Sequence, residues 1–307
     1  MDWKNKKVLV TGARGFIGCN LSKELLKRGS EVYSISRSLE EPKKRGNLEE
    51  VIFIDGDVSK KEVWERVPKN IEYVFHFAAP SSVNLFKKEP EKCFNETFFG
   101  LYNALEFAKR NNLKKVIYPS TGNVYAGNEV PHIETVIPKP TNLYTVSKVA
   151  CESLASSYSD FVNSIGLRIS AGYGPGEEGK IGFGSPPFLF IRDFLNGKSP
   201  EVWGDGSQTR DFLYIDDLTK MIIKSAEADY TGIINVASGE FVNFKELLGK
   251  IKNILQSDIE PVFIPKKGNY VEKIEMDTTL NKKILGVKPI SLEEGLAKFI
   301  NYLKASS

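Results

Sequence analysis

Tyr144 and Lys148 stand four residues apart in the run Tyr144-Thr145-Val146-Ser147-Lys148. On a helix that spacing puts both side chains on one face, so a phenol and an ammonium can enter the same pocket. A free phenol, with a pKa of ~10, is a poor base at neutral pH. A neighbouring positive charge favours phenolate and lowers that value. Tyr144 can then take a proton from a hydroxyl, or return one, while other bonds change at the same carbon. A second hydroxyl source lies in Ile117-Tyr118-Pro119-Ser120-Thr121. If that run is a strand of a parallel sheet, its last residues reach the edge where ligands bind, and Ser120 or Thr121 can donate a hydrogen bond to the reacting oxygen.

The partner for such chemistry is written near the N-terminus. In Val8-Leu9-Val10-Thr11-Gly12-Ala13-Arg14-Gly15-Phe16-Ile17-Gly18, three glycines recur every third residue between a strand and a helix. Gly12 permits a tight turn, Gly15 lets backbone approach a pyrophosphate, and Gly18 lets the helix pack on the strand. The helix N-terminus offers N–H groups and partial positive charge to the phosphates. A dinucleotide is the expected ligand, with Lys148 able to hold its ribose as well as tune Tyr144. The second strand ends in Ile35-Ser36-Arg37-Ser38, without a carboxylate. A guanidinium and two hydroxyls stand where an acid would repel a 2′-phosphate, and Arg14 can add a second cation. This favours NADP(H) over NAD(H). Asp57-Val58, after the third strand, is placed to meet the adenine.

The elements that must position these groups alternate between strand and helix. Strands are predicted at Lys7–Thr11, Glu31–Ser36, Val51–Ile54, Tyr73–Phe77, Lys115–Ser120 and Ser164–Ile169. Helices are predicted over about 15–28, ended by Gly29, and over 91–110 and 142–162. The order implies an α/β fold: a Rossmann-type doubly wound parallel sheet with right-handed crossovers, in a dinucleotide-binding domain of residues 1–170. From 171 to 185 the chain is rich in Gly and Pro and reads as a loop. Residues 171–307 read as a smaller, mainly substrate-binding α/β part. A segment near 211–238 returns to the sheet through a helix at 216–227 and a strand at Ile233–Val236, and Asn243 caps a further helix.

The motifs TGARGFIG, FHFAAPSSV, PSTGNVYAG, YTVSK and VWGDGSQTRDFLYIDDL together resemble the extended short-chain dehydrogenase/reductases, in the nucleotide-sugar epimerase/dehydratase family. The resemblance runs from residue 8 to about 295. It implies a catalytic Thr121 with the Tyr144/Lys148 pair. It also implies Phe77, Ala78 and Ala79 beside the cofactor, and Ser82 and Asn123 beside the sugar. Gly204 and Arg210 fall in the segment that grips a nucleotide diphosphate; an Arg beside Asp-Phe after a Gly-Asp-Gly turn is also a sensible anion contact on its own chemistry. The alternative for Arg210 is an ion pair with Asp205 or Asp211. Where relatives carry an Arg near Pro265 this chain has Lys266 and Lys267, and Lys267 is taken as a substrate contact. Family dehydratases place an acidic pair after the catalytic Thr. Here those positions are Gly122 and Asn123, which disfavours dehydration.

Two outcomes use the same machinery at the sugar's C4: epimerisation through a 4-keto intermediate with the cofactor recycled, or NADPH-dependent reduction of a 4-keto sugar. A third reading is a non-catalytic dinucleotide binder, against which the Thr121/Tyr144/Lys148 set argues. The 307 residues are 41% hydrophobic and 26% charged, with net charge +3, which excludes a disordered chain and gives no basis for nucleic-acid binding. The cluster Lys43, Lys44 and Arg45 reads as a solvated loop. His76, ending an apolar strand, reads as a core residue, and with no His/Cys/Asp cluster no metal site is expected. Cys19, Cys93 and Cys151 are dispersed, no apolar run spans a membrane, and a cytoplasmic enzyme is expected. A homodimer through the 91–110 and 142–162 helices is expected by the resemblance; Phe94, Phe98, Phe99 and Leu101 fit either that interface or the core.

Overall fold

The computed structural model describes residues 1–37, 48–179, 184–266 and 271–306. Lys43, Lys44, Arg45 and Lys267 lie outside these residues. Strands β1 (Lys7–Thr11), β2 (Glu31–Ser36), β3 (Ile52–Asp55), β4 (Tyr73–His76), β5 (Lys115–Thr121) and β6 (Ser164–Ile169) follow the predicted order. Between them lie α1 (Phe16–Lys27), the single-turn α2 (Lys61–Trp64), α3 (Val83–Lys88), α4 (Pro90–Asn111) and α5 (Leu143–Ser157). The C-terminal part contributes β7 (Ala171–Tyr173), α6 (Pro186–Leu195), β8 (Glu201–Trp203), β9 (Thr209–Tyr214), α7 (Ile215–Glu227), β10 (Gly232–Val236), β11 (Phe241–Asn243), α8 (Phe244–Leu255), β12 (Val262–Ile264), α9 (Thr279–Leu285) and α10 (Leu292–Ser306).

The main sheet has the order β10-β6-β5-β4-β1-β2-β3, and every neighbouring pair in it is parallel. The chain winds outward from β1 in one direction and restarts beside it at β4. The strand order therefore reverses between β1 and β4, and a crevice opens at their carboxyl ends. Burial on both faces explains the near-continuous apolar strands. Successive residues point to opposite sides: Val8 and Val10 join the core cluster that includes α1 and α7 residues, and Leu9 joins the one that includes α4 and α5 residues.

The return to the sheet is β10, paired with β6 from Gly232↔Ile165 to Val236↔Ile169. Residues 171–185 are not simply a loop. β7 lies there, parallel to β9 with Ala171 opposite Phe212, and Ser185 caps α6 by accepting from the Phe188 N–H at 3.3 Å. Three residues are too few to show a period, and the strand's partner is remote in sequence. Helix α5 ends at Ser157, short of the predicted 162, where Ser156, Ser157 and Tyr158 replace better helix formers.

Candidate active site

The glycine turn is held by sterics. Gly12 has φ +75°, and a Cβ there would sit 2.8 Å from the Ala78 nitrogen. A Cβ on Gly18 would sit 2.2 Å from the Gly12 carbonyl oxygen. Gly15 is the N-cap of α1 and provides no side-chain cap, which leaves first-turn N–H groups facing outward. The turn is tied to β4: the Ala78 N–H donates to Thr11 Oγ1 at 3.1 Å, and Thr11 Oγ1 lies 3.0 Å from His76 Nδ1. His76 is fully buried, and desolvation, then the Lys148 charge, pushes its pKa down to about 3. It sits neutral in the core, with Nε2 buried and without a hydrogen-bond partner among the described residues.

A cleft of about 350 Å³ opens over this turn. Its walls include Gly12, Arg14, Gly15, Ser36, Arg37, Asp57, Val58, Phe77, Ala78 and Ala79, ten of the residues assigned to the cofactor from sequence. Phe16, Ile17 and Gly18 stand behind the turn in α1 and do not line it. Asp57 accepts from the Ser59 N–H at 2.8 Å, and the Val58 carbonyl accepts from Trp64 Nε1 and Asn103 Nδ2. These bonds hold the wall formed by Asp57 and Val58. A cradle without side chains, an uncapped helix start and a cleft of this shape fit a dinucleotide.

The cleft has a wall that sequence reading missed. Glu89, Lys92, Cys93 and Glu96 line it from the start of α4. Their spacing, i, i+3, i+4, i+7, is one helical stripe, and that is the signal that could have found them. Arg37 forms an ion pair with Glu96; it is not merely a solvated charge.

Thr121, Tyr144 and Lys148, the trio expected to be catalytic, come from β5 and α5. A capping box starts α5: Asn142 Oδ1 accepts from the Thr145 N–H at 3.0 Å, and Thr145 Oγ1 accepts from the Asn142 N–H at 3.3 Å. This fixes Tyr144 in the first turn and Lys148 one turn later. Tyr144 is buried against Phe86 and Cys93, and so abuts the cleft that Cys93 lines. The Thr121 side chain reaches the phenol and acts to lower its pKa, and its oxygen accepts from the Asn123 N–H at 3.2 Å. Lys148 Nζ lies 5.8 Å from the Tyr144 ring centre and donates to the Pro119 carbonyl at 3.2 Å.

The electrostatics differ from the expected ones. Burial pushes the Tyr144 pKa up, and the Thr121 hydrogen bond only partly opposes this. Burial also lowers the pKa of Lys148. Removal of water from the phenol dominates, while the Lys148 ammonium donates to the Pro119 carbonyl instead. Ser120 is settled as well. It bonds to Glu152, which holds Arg168 through two further bonds of 3.0 and 2.7 Å. That buried pair underpins the site and leaves Thr121 as the hydroxyl that meets Tyr144. Gly122 is enclosed: a Cβ there would lie 2.7 Å from Met276 Sδ. The side chain a dehydratase needs at that position has no room without moving Met276.

The substrate-side residues are more scattered. Ser82 caps α3, accepting from the Leu85 N–H at 3.2 Å. Gly204 has φ +75° and packs under Lys266. Arg210 donates to the carbonyls of Thr209, Glu272 and Val271 at 2.6, 3.1 and 2.5 Å. Asp205 accepts from Ser207, and Asp211 accepts from the Ser238 and Gly239 N–H groups. A cavity of about 700 Å³, lined by Ala126, Gly127, Thr141, Val271, Glu272 and Lys273 among others, opens beside those carbonyls.

A model of the NAD dependent epimerase/dehydratase family matches residues 8–237. The chain is similar to the UDP-N-acetylglucosamine 4-epimerase of Methanobrevibacter ruminantium, solved with UDP-N-acetylmuramic acid. Identity is 29%, the TM-score is 0.92, and 99% of this chain and 100% of that one are covered. It is also similar to the Thermus thermophilus UDP-glucose 4-epimerase solved with NAD, at 26% identity and TM-score 0.84 over 98% and 100% of the two chains. The UDP-glucuronate 4-epimerase of Thermodesulfobacterium geofontis is 28% identical over 96% of this chain and 95% of its own length.

Proposed function

The chain belongs to the NAD-dependent epimerase/dehydratase family, and on that basis we propose that it inverts C4 of a UDP-linked sugar, with Thr121, Tyr144 and Lys148 as its catalytic residues. The enzyme is an NAD(P)-dependent nucleotide-sugar 4-epimerase. The observation that carries the assignment of residues is the Tyr144 phenol, reached by the Thr121 side chain and buried against Cys93, a wall residue of the glycine-turn cleft.

When bound, a nicotinamide dinucleotide accepts hydride from C4 and gives it back. The protein supplies the proton path. Tyr144, once ionised beside Lys148, takes the C4 hydroxyl proton as the carbon is oxidised and returns it after the 4-keto sugar presents its other face. Thr121 donates to the same oxygen, beside the phenol it reaches. Lys148, fixed by the Pro119 carbonyl, lies beside the phenol ring, where its charged form favours phenolate. Substrate, by displacing the remaining water, strengthens every one of these interactions.

Arg210, Gly204, Ser82, Asn123 and Lys267 are proposed to hold the nucleotide diphosphate and sugar. Residues 1–170 with the β10 return form the dinucleotide-binding part of this scheme, and 171–307 mainly the substrate part. A homodimer through α4 and α5 is proposed as well: Leu101 is core, whereas Phe99 remains 45% exposed beside Tyr102 on α4. The three cysteines are free and buried, which suits the proposed cytoplasmic setting. Among the described residues no helix is long and apolar enough to cross a membrane. On cofactor type, the absent β2 carboxylate and the Arg37 guanidinium favour NADP(H), whereas the ion pair of Arg37 with Glu96 opposes it.

The test is to supply purified enzyme with UDP-glucose, UDP-glucuronate or UDP-N-acetylglucosamine without adding nicotinamide. Formation of a 4-epimer from one of them, with no net change in reduced nicotinamide, is expected. Stoichiometric consumption of NADPH with a 4-keto sugar, and no epimer from any of the three, would favour the reductase reading.

A further inference from the structure

We infer that Glu96 sets dinucleotide specificity in this cleft, and sets it towards NAD(H). The inference rests on reading the cleft as the dinucleotide site. A dinucleotide lying on the glycine turn places its adenosine ribose at the end of the second strand. Here that strand ends in Ser36-Arg37, and Arg37 alone suggests a seat for a 2′-phosphate. The guanidinium is not uncommitted, however. Its Nη1 is bonded to Glu96 Oε1. The two partners differ sharply in exposure: the Arg37 side chain is 57% accessible and that of Glu96 only 8%.

The asymmetry decides what each ligand meets. A 2′-phosphate brings close to two negative charges. To bind Arg37 it must draw the guanidinium from Glu96. That strands a carboxylate in a desolvated wall, facing the incoming anion, which is the costly way to break a buried pair. Lys92, one turn away, offers little relief, because both oxygens of Glu89 already engage it at 3.1 Å. A free ribose 2′-hydroxyl brings no charge. It can donate to the Glu96 carboxylate, an acceptor with several lone-pair sites, while the ion pair stays intact. Glu96 thus does from α4 what an acidic residue at the end of β2 does in NAD-binding sheets, and Arg37 neutralises it.

The experiment is a fluorescence titration of the full-length protein, freed of co-purified nucleotide, with NADH and NADPH. The parent protein is expected to bind NADH at least tenfold more tightly. In Glu96→Gln the repulsion is gone and Arg37 is released, so NADPH affinity should rise at least tenfold while NADH changes less than threefold. Adding Arg37→Met to that variant should cancel the gain. Equal or tighter NADPH binding by the parent would overturn the inference alone, as would weaker NADPH binding in a folded Glu96→Gln. The parent ratio decides even if the variant does not fold. Binding of neither nucleotide would overturn the cofactor reading beneath it, and the inference with it.

Discussion

The glycine turn and the Arg210 region, both proposed to meet ligands, are built by opposite means. At the turn, geometry is imposed by side chains that cannot be there: a Cβ on Gly12 or Gly18 would strike backbone at 2.8 or 2.2 Å. Around Arg210, geometry depends on a long side chain reaching carbonyls of residues 271 and 272, far along the sequence. The first arrangement has few sequence solutions and tolerates no change. The second has many and can be retuned for a different sugar or nucleotide without disturbing the sheet. The relatives named above share the 4-epimerase designation while their sugars differ, as that contrast would lead one to expect.

Four substitutions probe the contrast, in descending size of effect. Arg168→Met strips the buried Glu152 of its partner beneath the catalytic corner. A loss of about 3–5 kcal/mol is expected in denaturant unfolding, with little warning from the surface. Tyr144→Phe should leave the fold unchanged and lower turnover by about 10²–10⁴, measured as kcat for epimer formation. Gly18→Ala should abolish nicotinamide nucleotide binding in a titration while UDP still binds. Retained nucleotide affinity would show that the turn is less rigid than its contacts imply. Arg210→Ala should do the reverse, raising KM for the UDP-sugar by roughly 10-fold or more, the size of one lost charge-assisted contact, with NADH affinity intact.

A smaller effect concerns pH. His76, with its pKa depressed to about 3, is protonated more readily in the unfolded chain. Its share of stability is full above about 6.5 and is lost as pH falls towards 3. Burial raises the Asp211 pKa to about 6, against two backbone N–H bonds that lower it. The folded state therefore holds that proton longer, and its share of stability falls as pH rises from about 4 to 6. The two slopes oppose each other in one window. Asp211→Asn removes the second, so urea midpoints of the variant relative to the parent should shift in the variant's favour between pH 4 and 6.5.

Legibility in sequence followed the same divide. Strands β1 to β6 could be read because two-sided burial leaves unbroken apolar runs, and Tyr144 with Lys148 because a helix turns the spacing of four into proximity. Glycine spacing disclosed the cleft floor. Its α4 wall stayed hidden, because Glu89, Lys92, Cys93 and Glu96 look like ordinary helix-surface residues until the helix is docked. The direction of the Tyr144 shift was also out of reach. Residue spacing names the cation nearby but not the loss of water, and here burial dominates. β7 escaped because its meaning lies in β9.

In the proposed reaction hydride leaves C4 and returns to the same carbon within one catalytic cycle, under proton control by Tyr144. This return is tested most directly with a UDP-sugar deuterated at C4, turned over by the parent enzyme in ordinary water and analysed by mass spectrometry of the epimer. The product should keep its deuterium at C4. Loss of the label to solvent or to added nicotinamide during epimerisation would contradict that return.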